Sequence, residues 1–423
     1  MNILIVGTGY VGTTTGLVFC EMGHQVTGLD IDEQKLKSLQ SGKLYFYEPG
    51  LDELLSKHLQ ERNITFTSDI ENAIKENDII FICVGTPQGE DGSADLKYVK
   101  TVTESIGKYM DKYKVIVNKS TVPVGTAELV TNWIKEKQET FIPFDVVSNP
   151  EFLREGSALH DALNPDRIVI GSVSKKARNI MKELYKNFHC PIVETDSKSS
   201  ELIKYAANAF LALKISYINE LARLCKTLDI HIDGISEGIG YDKRIGHSFL
   251  KAGIGFGGSC FPKDVSALLY TAKKSNHRLT ILEAAKEVNE TQPIHFIQMV
   301  KSRLGELKGK SIAILGISFK ANTDDTRESP AFRIIDGLLA EQAYVTCYDP
   351  KAKIGNQKVI QQNNIEDTLR NCDAVIICTE WEEFQLTEWE KHKSLMKSSV
   401  IFDGRNILEK SKMNEIGYEY YNI

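Results

Sequence analysis

One short stretch of this chain combines a thiol with charged groups in the way that covalent catalysis requires. In GFGGSCFPKD, residues 255–264, three glycines and a serine precede Cys260, and Lys263 and Asp264 follow it. Pro262 suits the first turn of a helix, so Cys260 is predicted to lie directly before a helix N-terminus. The partial positive charge there and the Lys263 ammonium favour the nucleophilic thiolate. The alternative is that Cys260 is a small buried apolar residue, the usual state of a cysteine outside a disulfide.

Other polar residues have a spacing that suits the same chemistry. Lys204 and Asn208 are four residues apart in a helical stretch rich in alanine, leucine and isoleucine, so they share one helix face. A second cluster, SNPEFLRE at residues 148–155, follows a predicted strand and carries two glutamates. The glycines before Cys260 would let a substrate carbon approach the thiol without meeting a Cβ atom. Each of these features also has a structural alternative. Lys204 could be a solvated surface lysine, and the glutamates could cap a helix.

A glycine motif near the N-terminus predicts a dinucleotide site. GTGYVG, residues 7–12, follows a strand predicted over 3–6 and precedes a helix predicted over 14–22, and Asp30 ends the next strand. The glycines allow a tight turn in which a pyrophosphate meets the helix N-terminus. The Asp30 carboxylate would bind ribose hydroxyls and repel a 2′-phosphate, so NAD is favoured over NADP. A strand–turn–helix without a ligand is the structural alternative.

The thiol and the NAD motif together indicate a class of reaction. Oxidation of an alcohol to a carbonyl needs no thiol. Further oxidation to an acid uses one, because a thiohemiacetal can lose a second hydride and leave a thioester for water to cleave. We therefore expect a four-electron oxidation. The alternative is a two-electron hydroxyacid dehydrogenase with an incidental thiol.

The elements that position these residues alternate between strands and helices. Continuous apolar runs predict buried parallel strands covered on both faces, and in the first half they are NILIVG, HQVTGLD, DIIFICVG, KVIVNKS and FDVVSNP. The same signals return as SIAILGISF, AYVTCYD, DAVIICT and SSVIFDG, so a second doubly wound domain is predicted. The loop GISF, residues 316–319, lacks the second and third glycines of the motif, so a different nucleotide is expected there.

A long helix is predicted between these two regions, over residues 199–228, with Ser199 or Ser200 as its N-cap. Such a helix can bridge two domains, and its apolar faces can pair with a second copy. We therefore predict an α/β fold with two doubly wound Rossmann-like domains, joined by a long central helix and a small helical region. The predicted boundaries are 1–198, 199–295 and 296–423.

The composition argues against several classes of protein. The 423 residues are 42% hydrophobic and 26% charged, and the net charge of −6 predicts no nucleic-acid or membrane partner. No apolar run is long enough to span a bilayer, and no signal peptide is recognised before the glycine motif. The eight cysteines show no CxxC spacing, so neither a metal site nor a disulfide framework is predicted. A cytoplasmic location is expected.

Several motifs in the same order resemble the UDP-glucose/GDP-mannose dehydrogenase family along essentially the whole chain. They are GFGGSCFPKD, NPEFLREGSALHDALNPDRIVIG, KSTVPVGT, the helix with Lys204 and Asn208, and SFKANTDDTRES. The resemblance implies NAD-dependent oxidation of UDP-glucose to UDP-glucuronate, with two NAD and one water consumed, by a homodimer formed through the central helix and serving polysaccharide biosynthesis. The forms FGGSCFPKD, with Phe261, and NPEFLREG favour UDP-glucose. The alternatives are GDP-mannose or a UDP-N-acetyl sugar with the same mechanism, or a non-catalytic nucleotide-sugar sensor.

The resemblance also implies roles for the catalytic residues. Cys260 would form the thiohemiacetal and the thioester, and Lys204 and Asn208 would bind the oxyanion. Asp264 and Glu151 would serve proton transfer and water activation, and the resemblance leaves open which carboxylate takes the first proton. The full expected catalytic set is Cys260, Lys204, Asn208, Asp264, Glu151 and Thr121, the last of which would help to hold the water.

The binding residues follow from the same resemblance, and the C-terminal domain is expected to bind the sugar nucleotide. The residues expected at NAD are Gly7, Gly9, Tyr10, Val11, Gly12, Asp30, Lys35, Thr86, Thr121, Glu155, Lys263 and Arg327. The residues expected at the sugar nucleotide are Phe152, Leu153, Arg154, Lys204, Asn208, Tyr241, Arg244, Phe249, Gly257, Phe319, Lys320 and Arg405. Arg244 matches an arginine that reaches into the site of the neighbouring subunit, which would make the dimer necessary for activity.

Overall fold

The computed structural model describes all 423 residues, and the chain divides into two units. Unit 1 comprises Met1–Ala207 and Ser266–Asn276, and unit 2 comprises Asn208–Val265 and His277–Ile423. The division falls inside two helices, α9 (Ser197–Thr227) and α11 (Phe261–Lys274), so each of them contributes residues to both units.

Unit 1 contains one sheet of eight strands. The strands are β1 (Asn2–Val6), β2 (Gln25–Leu29), β3 (Ile64–Thr67), β4 (Ile79–Ile82), β5 (Lys114–Asn118), β6 (Phe144–Ser148), β7 (Ile168–Gly171) and β8 (Ile192–Thr195). Their order is β3-β2-β1-β4-β5-β6-β7-β8, and every neighbouring pair is parallel except β6 and β7. The expectation of a wholly parallel sheet is therefore wrong at this pair. An antiparallel neighbour needs no crossover helix, and the link to β7 holds only a six-residue helix.

Helices cover both faces of this sheet. They are α1 (Tyr10–Glu21), α2 (Glu33–Gln40), α3 (Leu51–Gln60), α4 (Ile70–Glu76), α5 (Lys97–Tyr109), α6 (Thr126–Lys137), α7 (Ala158–Leu163) and α8 (Lys175–Leu184). Alternate residues of β1 enter two separate cores, with Ile3 and Ile5 in one and Leu4 and Val6 in the other. The sheet is thus buried on both faces, as its continuous apolar runs indicate.

The long helix α9 begins at Ser197, and the prediction that Ser199 or Ser200 caps it is wrong. Asp196 lies just before the helix and accepts bonds from the Ser199 amide at 2.9 Å and the Ser199 hydroxyl at 2.6 Å. A carboxylate at this position satisfies helix amides and complements the helix dipole. The Ser200 hydroxyl instead donates to the Ser148 carbonyl at 3.0 Å, which ties α9 to the end of β6.

Unit 2 contains a second sheet. Its strands are β9 (Ser311–Leu315), β10 (Tyr344–Tyr348), β11 (Ile360–Gln361), β12 (Ala374–Ile377), β13 (Val400–Asp403) and β14 (Glu419–Asn422). All neighbours are parallel, in the order β11-β10-β9-β12-β13-β14. Its helices besides α11 are α10 (Ile232–Gly240), α12 (Thr280–Leu304), α13 (Pro330–Ala340), α14 (Ile365–Leu369), α15 (Glu382–Leu386), α16 (Trp389–His392), a 3-10 turn (Lys393–Leu395) and α17 (Lys410–Glu415).

The second sheet is also buried on both faces, because Ile312 and Ile314 of β9 enter one core while Ala313 and Leu315 enter another. The predicted fold class, two Rossmann-like α/β domains with a long central helix, is confirmed. None of the helices combines the length and apolarity needed to cross a membrane.

Candidate active site

The loop between β1 and α1 has the shape that a pyrophosphate requires. A Cβ atom on Gly12 would lie 1.9 Å from the Gly7 carbonyl oxygen, so only glycine fits at this turn. A Cβ atom on Gly9 would meet no protein atom within 4 Å. Helix α1 begins at Tyr10, four residues earlier than predicted, so its first amides belong to the glycine motif itself. These amides have no partner within the helix and can bind an anion.

Asp30 is held at the end of β2, beside this loop. Its Oδ2 accepts bonds from the Thr8 amide at 2.9 Å and the Thr8 hydroxyl at 3.0 Å, and its Oδ1 accepts the Asp32 amide at 3.1 Å. Burial alone would raise the pKa of Asp30, but these bonds and the Lys35 charge outweigh it and lower the pKa. An ionised, partly exposed carboxylate here fits the ribose hydroxyls of NAD.

A buried glutamate that the sequence analysis did not identify anchors Tyr10. Glu48 is 2% exposed and accepts a hydrogen bond from the Tyr10 hydroxyl and the amides of Gly156 and Ala158, both at 2.7 Å. Burial, followed by the Glu48 contact, raises the pKa of Tyr10 well above its ordinary value. Glu48 therefore ties the start of α1 to the loop that follows β6. Tyr10 is 38 residues away in the chain and the two amides are more than one hundred residues away, so no local signal indicates this role.

Two other predicted NAD residues lie in loops at the strand ends of the same sheet. The Thr86 hydroxyl, after β4, donates to the carbonyl of Thr121, after β5, at 2.8 Å. The ammonium of Lys35, on α2, lies 3.9 Å from the Asp32 carboxylate and 5.4 Å from the centre of the Tyr45 ring. The carboxyl ends of parallel strands are where nucleotides bind to such sheets.

Lys204 and Glu151 form a buried ion pair in unit 1. The distance from Lys204 Nζ to Glu151 Oε1 is 3.0 Å, and the two side chains are 4% and 7% exposed. Glu151 Oε2 also accepts the Leu153 amide at 2.5 Å. The Phe152 ring has the Lys204 ammonium 5.4 Å from its centre and the Arg167 guanidinium 3.6 Å from it. The predicted catalytic lysine and glutamate of this unit are therefore direct neighbours.

Lys119 is a further cation near this pair. Its Nζ donates to Asn149 Oδ1 at 3.3 Å. Burial lowers the pKa of Lys119 to about 8, although the charge of Glu151 acts in the opposite direction. Sequence analysis missed it because KSTVPVGT was noted only for its resemblance and for Thr121.

Cys260 lies at the N-terminus of α11, as its proline predicted. Helix α11 begins at Phe261, and the Cys260 carbonyl accepts the Asp264 amide at 2.9 Å. The Ser259 hydroxyl lies 3.6 Å from the thiol sulfur. Asp264 is 1% exposed and accepts the Asn208 side-chain amide at 2.6 Å and the Lys263 ammonium at 2.6 Å. In unit 2 the structure thus brings together four of the predicted residues.

The glycines before Cys260 have a structural reason that differs from the predicted one. A Cβ atom on Gly257 would lie 2.1 Å from the Glu328 carbonyl oxygen, and one on Gly258 would lie 2.7 Å from the Phe319 ring. The Gly258 amide donates to the Arg327 carbonyl at 2.9 Å. Other segments of unit 2 therefore pack directly against this turn, and the expectation that the glycines serve substrate access is not needed to explain them.

Arg405 connects three segments of unit 2, two of which carry predicted sugar-nucleotide residues. Its guanidinium donates to the carbonyls of Cys378 at 2.8 Å, Gly255 at 3.1 Å and Phe319 at 3.2 Å. The Lys320 ammonium, which follows Phe319, lies 5.5 Å from the centre of that ring. These contacts place two cations of the predicted site in one loop region.

Three other predicted arginines are each paired with a nearby carboxylate. Arg154 binds Asp161 through Nε and Nη2, Arg244 binds Asp242 in the same way, and Arg327 binds Asp325. Of the predicted binding residues after α10, Tyr241 is 71% exposed and Arg244 has a side chain that is 88% exposed. The Phe249 ring lies tilted against the Phe261 ring, with 6.1 Å between the ring centres.

Comparison with known proteins places these features in one family. Residues 1–189 match the NAD binding domain of the UDP-glucose/GDP-mannose dehydrogenase family, residues 198–291 its central domain and residues 313–410 its UDP binding domain. The UDP-glucose 6-dehydrogenase TuaD of Bacillus subtilis (strain 168) is 47% identical over 427 residues, which cover 100% of this chain and 93% of that protein. The UDP-glucose 6-dehydrogenase of Rickettsia bellii (strain RML369-C) is 43% identical and covers 100% and 99%.

Two solved structures that resemble this chain are also sugar-nucleotide dehydrogenases. A UDP-glucose dehydrogenase from the hyperthermophilic archaeon Pyrobaculum islandicum has a TM-score of 0.94 at 37% identity, covering 100% of this chain and 97% of that one. A UDP-D-ManNAc dehydrogenase from Pyrococcus horikoshii has a TM-score of 0.90 at 27% identity, covering 100% and 99%. The three matched domains and the full-length similarity show that this chain belongs to the UDP-glucose/GDP-mannose dehydrogenase family.

Proposed function

We propose that this protein is an NAD-dependent 6-dehydrogenase that converts UDP-glucose to UDP-glucuronate. The observation that carries the reaction type is Cys260, a thiol at a helix N-terminus in a chain with an NAD-binding domain. The substrate follows from full-length relatives named UDP-glucose 6-dehydrogenase at up to 47% identity. The solved dehydrogenases of GDP-mannose and of a UDP-N-acetyl sugar are only 28% and 27% identical, which favours UDP-glucose over the alternatives.

The chemistry removes four electrons from C6 of the sugar, in two steps, and adds one oxygen from water. Bound NAD supplies the hydride acceptor in each step. After the first step the Cys260 thiolate attacks the C6 aldehyde and forms a C–S bond, which gives a thiohemiacetal. Loss of the second hydride leaves a thioester, and water then cleaves the C–S bond to release the acid and the thiol.

The neighbouring residues would stabilise charge and move protons during these steps. The Lys204 ammonium and the Asn208 amide stabilise the oxyanion that forms when C6 is attacked. Glu151, which accepts from Lys204, and Asp264, which accepts from Asn208, supply the carboxylates for proton transfer and water activation. Thr121 helps to hold the water. The proposal includes the other residues expected at NAD and at the sugar nucleotide. It also includes the domain boundaries at 198 and 295.

The exposed face of α9 supports the proposed homodimer. Phe210, Tyr217 and Leu224 recur every seven residues and are 61%, 52% and 52% exposed, which is unusual for large apolar side chains in a row. A second copy of the same helix would cover them. The exposed Arg244 would then be available to the neighbouring subunit. None of the eight cysteines forms a disulfide, which supports the proposed cytoplasmic location.

The yield of NADH from a limiting amount of nucleotide sugar tests this proposal. UDP-glucose is expected to give two NADH per molecule, and GDP-mannose and UDP-N-acetylglucosamine are expected to give little. One NADH per UDP-glucose would contradict the thiol mechanism. Turnover of only another nucleotide sugar would contradict the substrate while keeping the mechanism.

Substitution of the thiol separates chemistry from binding. Cys260→Ala is expected to abolish formation of UDP-glucuronate while NAD and UDP still bind, because the thioester cannot form. Cys190→Ala, at a half-buried cysteine of unit 1, is the matched control and is expected to retain full activity. Acid formation by Cys260→Ala at the normal rate would contradict the proposed role.

A further inference from the structure

Unit 2 contains a cavity that no proposed catalytic or nucleotide-binding residue lines. Its volume is about 460 Å³, within the range of small-molecule sites. It lies between the C-terminal part of α9, the helix α12 and the strand β14. Four basic side chains line it: Arg223 and Lys226 from α9, Arg303 from α12, and Lys410 from α17.

These cations have no carboxylate partner within ion-pair distance. The Arg223 guanidinium donates only to neutral oxygens, at 2.8 Å to Gln292 Oε1, 2.8 Å to the Val288 carbonyl and 3.0 Å to the Thr291 hydroxyl. The nearest polar contact of the Lys226 ammonium is the Met299 sulfur at 2.8 Å.

Arg303 lies over an aromatic ring, with its guanidinium 4.9 Å from the centre of Tyr421. Asp229 and Asp233 also line the cavity, and they balance part of this charge without forming an ion pair with any of the four cations.

Burial and, after it, repulsion from neighbouring cations lower the pKa of two basic groups at this cavity. Lys226 is exposed along much of its side chain, but desolvation of its ammonium and the charge of Arg303 lower its pKa to about 8. Burial and the charges of Arg223 and Lys226 lower the pKa of His295, which lines the same cavity. When basic groups are held close together, each disfavours the charged form of the others. A bound anion would offset this repulsion.

The cavity is on the opposite side of α9 from the apolar face proposed to form the dimer. At about 100° per residue, Lys226, which lines the cavity, lies about 160° around the helix axis from Leu224 and from Leu228. Cys225 is buried, whereas Leu224 and Leu228 are 52% and 57% exposed. A second copy of the chain on the exposed face of α9 would therefore leave the cavity accessible to a ligand.

We propose that this cavity binds a small phosphate-bearing anion at a site separate from both nucleotide sites. Guanidinium groups bind phosphate oxygens through paired N–H donors, and an ammonium adds a point charge. The cavity is larger than one phosphate group needs, so a diphosphate or a phosphate ester of a small metabolite fits better than phosphate alone.

Calorimetric titration of the full-length protein with inorganic pyrophosphate tests this site. The titration is made with NAD and UDP present at saturating concentration, so that the two nucleotide sites are covered. One pyrophosphate is expected to bind per chain. The double variant Lys226→Gln/Arg303→Gln is expected to bind it at least tenfold more weakly, and both side chains are exposed, so the fold is expected to survive.

The matched control carries the same change of charge elsewhere in unit 2. Lys308→Gln/Lys358→Gln alters two exposed lysines outside the cavity and is expected to bind pyrophosphate like the unchanged protein. Citrate, a carboxylate anion of similar charge, is expected to bind more weakly. No binding of pyrophosphate at millimolar concentration, an equal loss in the control variant, or equal binding of citrate would each overturn the proposal.

Discussion

Units 1 and 2 both place a glycine after the first strand of the sheet and an aspartate after the second, but the two aspartates have different environments. Asp349 of unit 2 is 5% exposed, and its carboxylate accepts the amides of Ile317, Ser318, Lys351 and Ala352 at 2.8–2.9 Å. Asp30 of unit 1 accepts only two amides and one hydroxyl and stays partly exposed. The same position is therefore structural in one sheet and available to a ligand in the other.

The loops beside these aspartates also differ in the groups that they offer to a ligand. Gly7 and Gly316 both have positive φ, at 92° and 90°. In unit 1 the helix α1 begins at Tyr10, within the glycine motif, so its amides face the position of a pyrophosphate. In unit 2 the next helix begins only at Pro330, after a long loop that carries Lys320. No helix amides therefore follow the first strand of this sheet directly, and we expect side-chain cations such as Lys320 to bind the sugar nucleotide instead.

The largest effect is expected from the glycines of the first loop. Gly12→Ala would place a methyl group 1.9 Å from the Gly7 carbonyl oxygen. It is expected to lower the unfolding free energy by about 3 kcal/mol, and the melting temperature with it, and to weaken NAD binding. Gly9→Ala meets no protein atom within 4 Å and is expected to keep the melting temperature while weakening NAD binding about 10- to 100-fold. Thermal unfolding and NAD titration measure both. Normal NAD binding by Gly9→Ala would show that this loop does not hold the pyrophosphate.

The two aspartates are expected to give opposite results. Asp349→Asn is expected to cost about 3 kcal/mol of unfolding free energy without changing NAD affinity, because an amide nitrogen would face backbone N–H donors. Asp30→Asn is expected to weaken NAD binding about tenfold, at about 1.4 kcal/mol, with a smaller loss of stability. Denaturant unfolding and NAD titration of both variants provide the measurement. Equal effects of the two changes on NAD affinity would contradict the comparison.

A pH-dependent effect is expected at a buried acid of unit 1. Glu201 is 2% exposed and accepts the amides of Gly125 at 2.6 Å and Ala127 at 2.8 Å. Burial raises its pKa to about 7, because the bonds from these amides only partly offset the desolvation. The folded pKa lies above the ordinary value of 4.5, so the stabilisation is complete below pH 4.5 and is lost as the pH rises to about 7.

Glu201→Gln removes this titration. The unfolding free energy of the unchanged protein is therefore expected to fall relative to that of Glu201→Gln between pH 4.5 and 7, by up to about 3 kcal/mol. Denaturant unfolding at a series of pH values measures the difference. Glu136→Gln, at an exposed position on α6, is the control and is expected to follow the unchanged protein. A constant difference across this pH range would show that Glu201 does not titrate there.

The sequence predicted the parts of the fold that have strong local signals. Central strands such as β4 are apolar at every position, so their runs are easily recognised. The strands β3, β8 and β14 were missed because exposed or polar residues interrupt their apolar pattern, and β11 was missed because it has only two residues. The antiparallel direction of β7 was not predicted, because strand direction depends on tertiary pairing and the periodicity of the sequence does not report it.

The candidate site likewise contains some residues that the sequence predicted and others that it did not. Cys260 and Asp264 were predicted because both lie in the motif GFGGSCFPKD, although the Asn208 amide group that donates to Asp264 is 56 residues away. Glu48 and Glu201 were missed because the amides that they accept are 74 or more residues distant. The real reason for Gly257 was also missed, since its contact with Glu328 exists only in the folded chain.

Separate titrations of the protein with NAD and with UDP test the central comparison most directly. We expect one NAD per chain, bound by unit 1, and one UDP per chain that does not compete with NAD, bound by unit 2. Two NAD per chain, or displacement of NAD by UDP, would contradict the account that the two sheets bind different nucleotides.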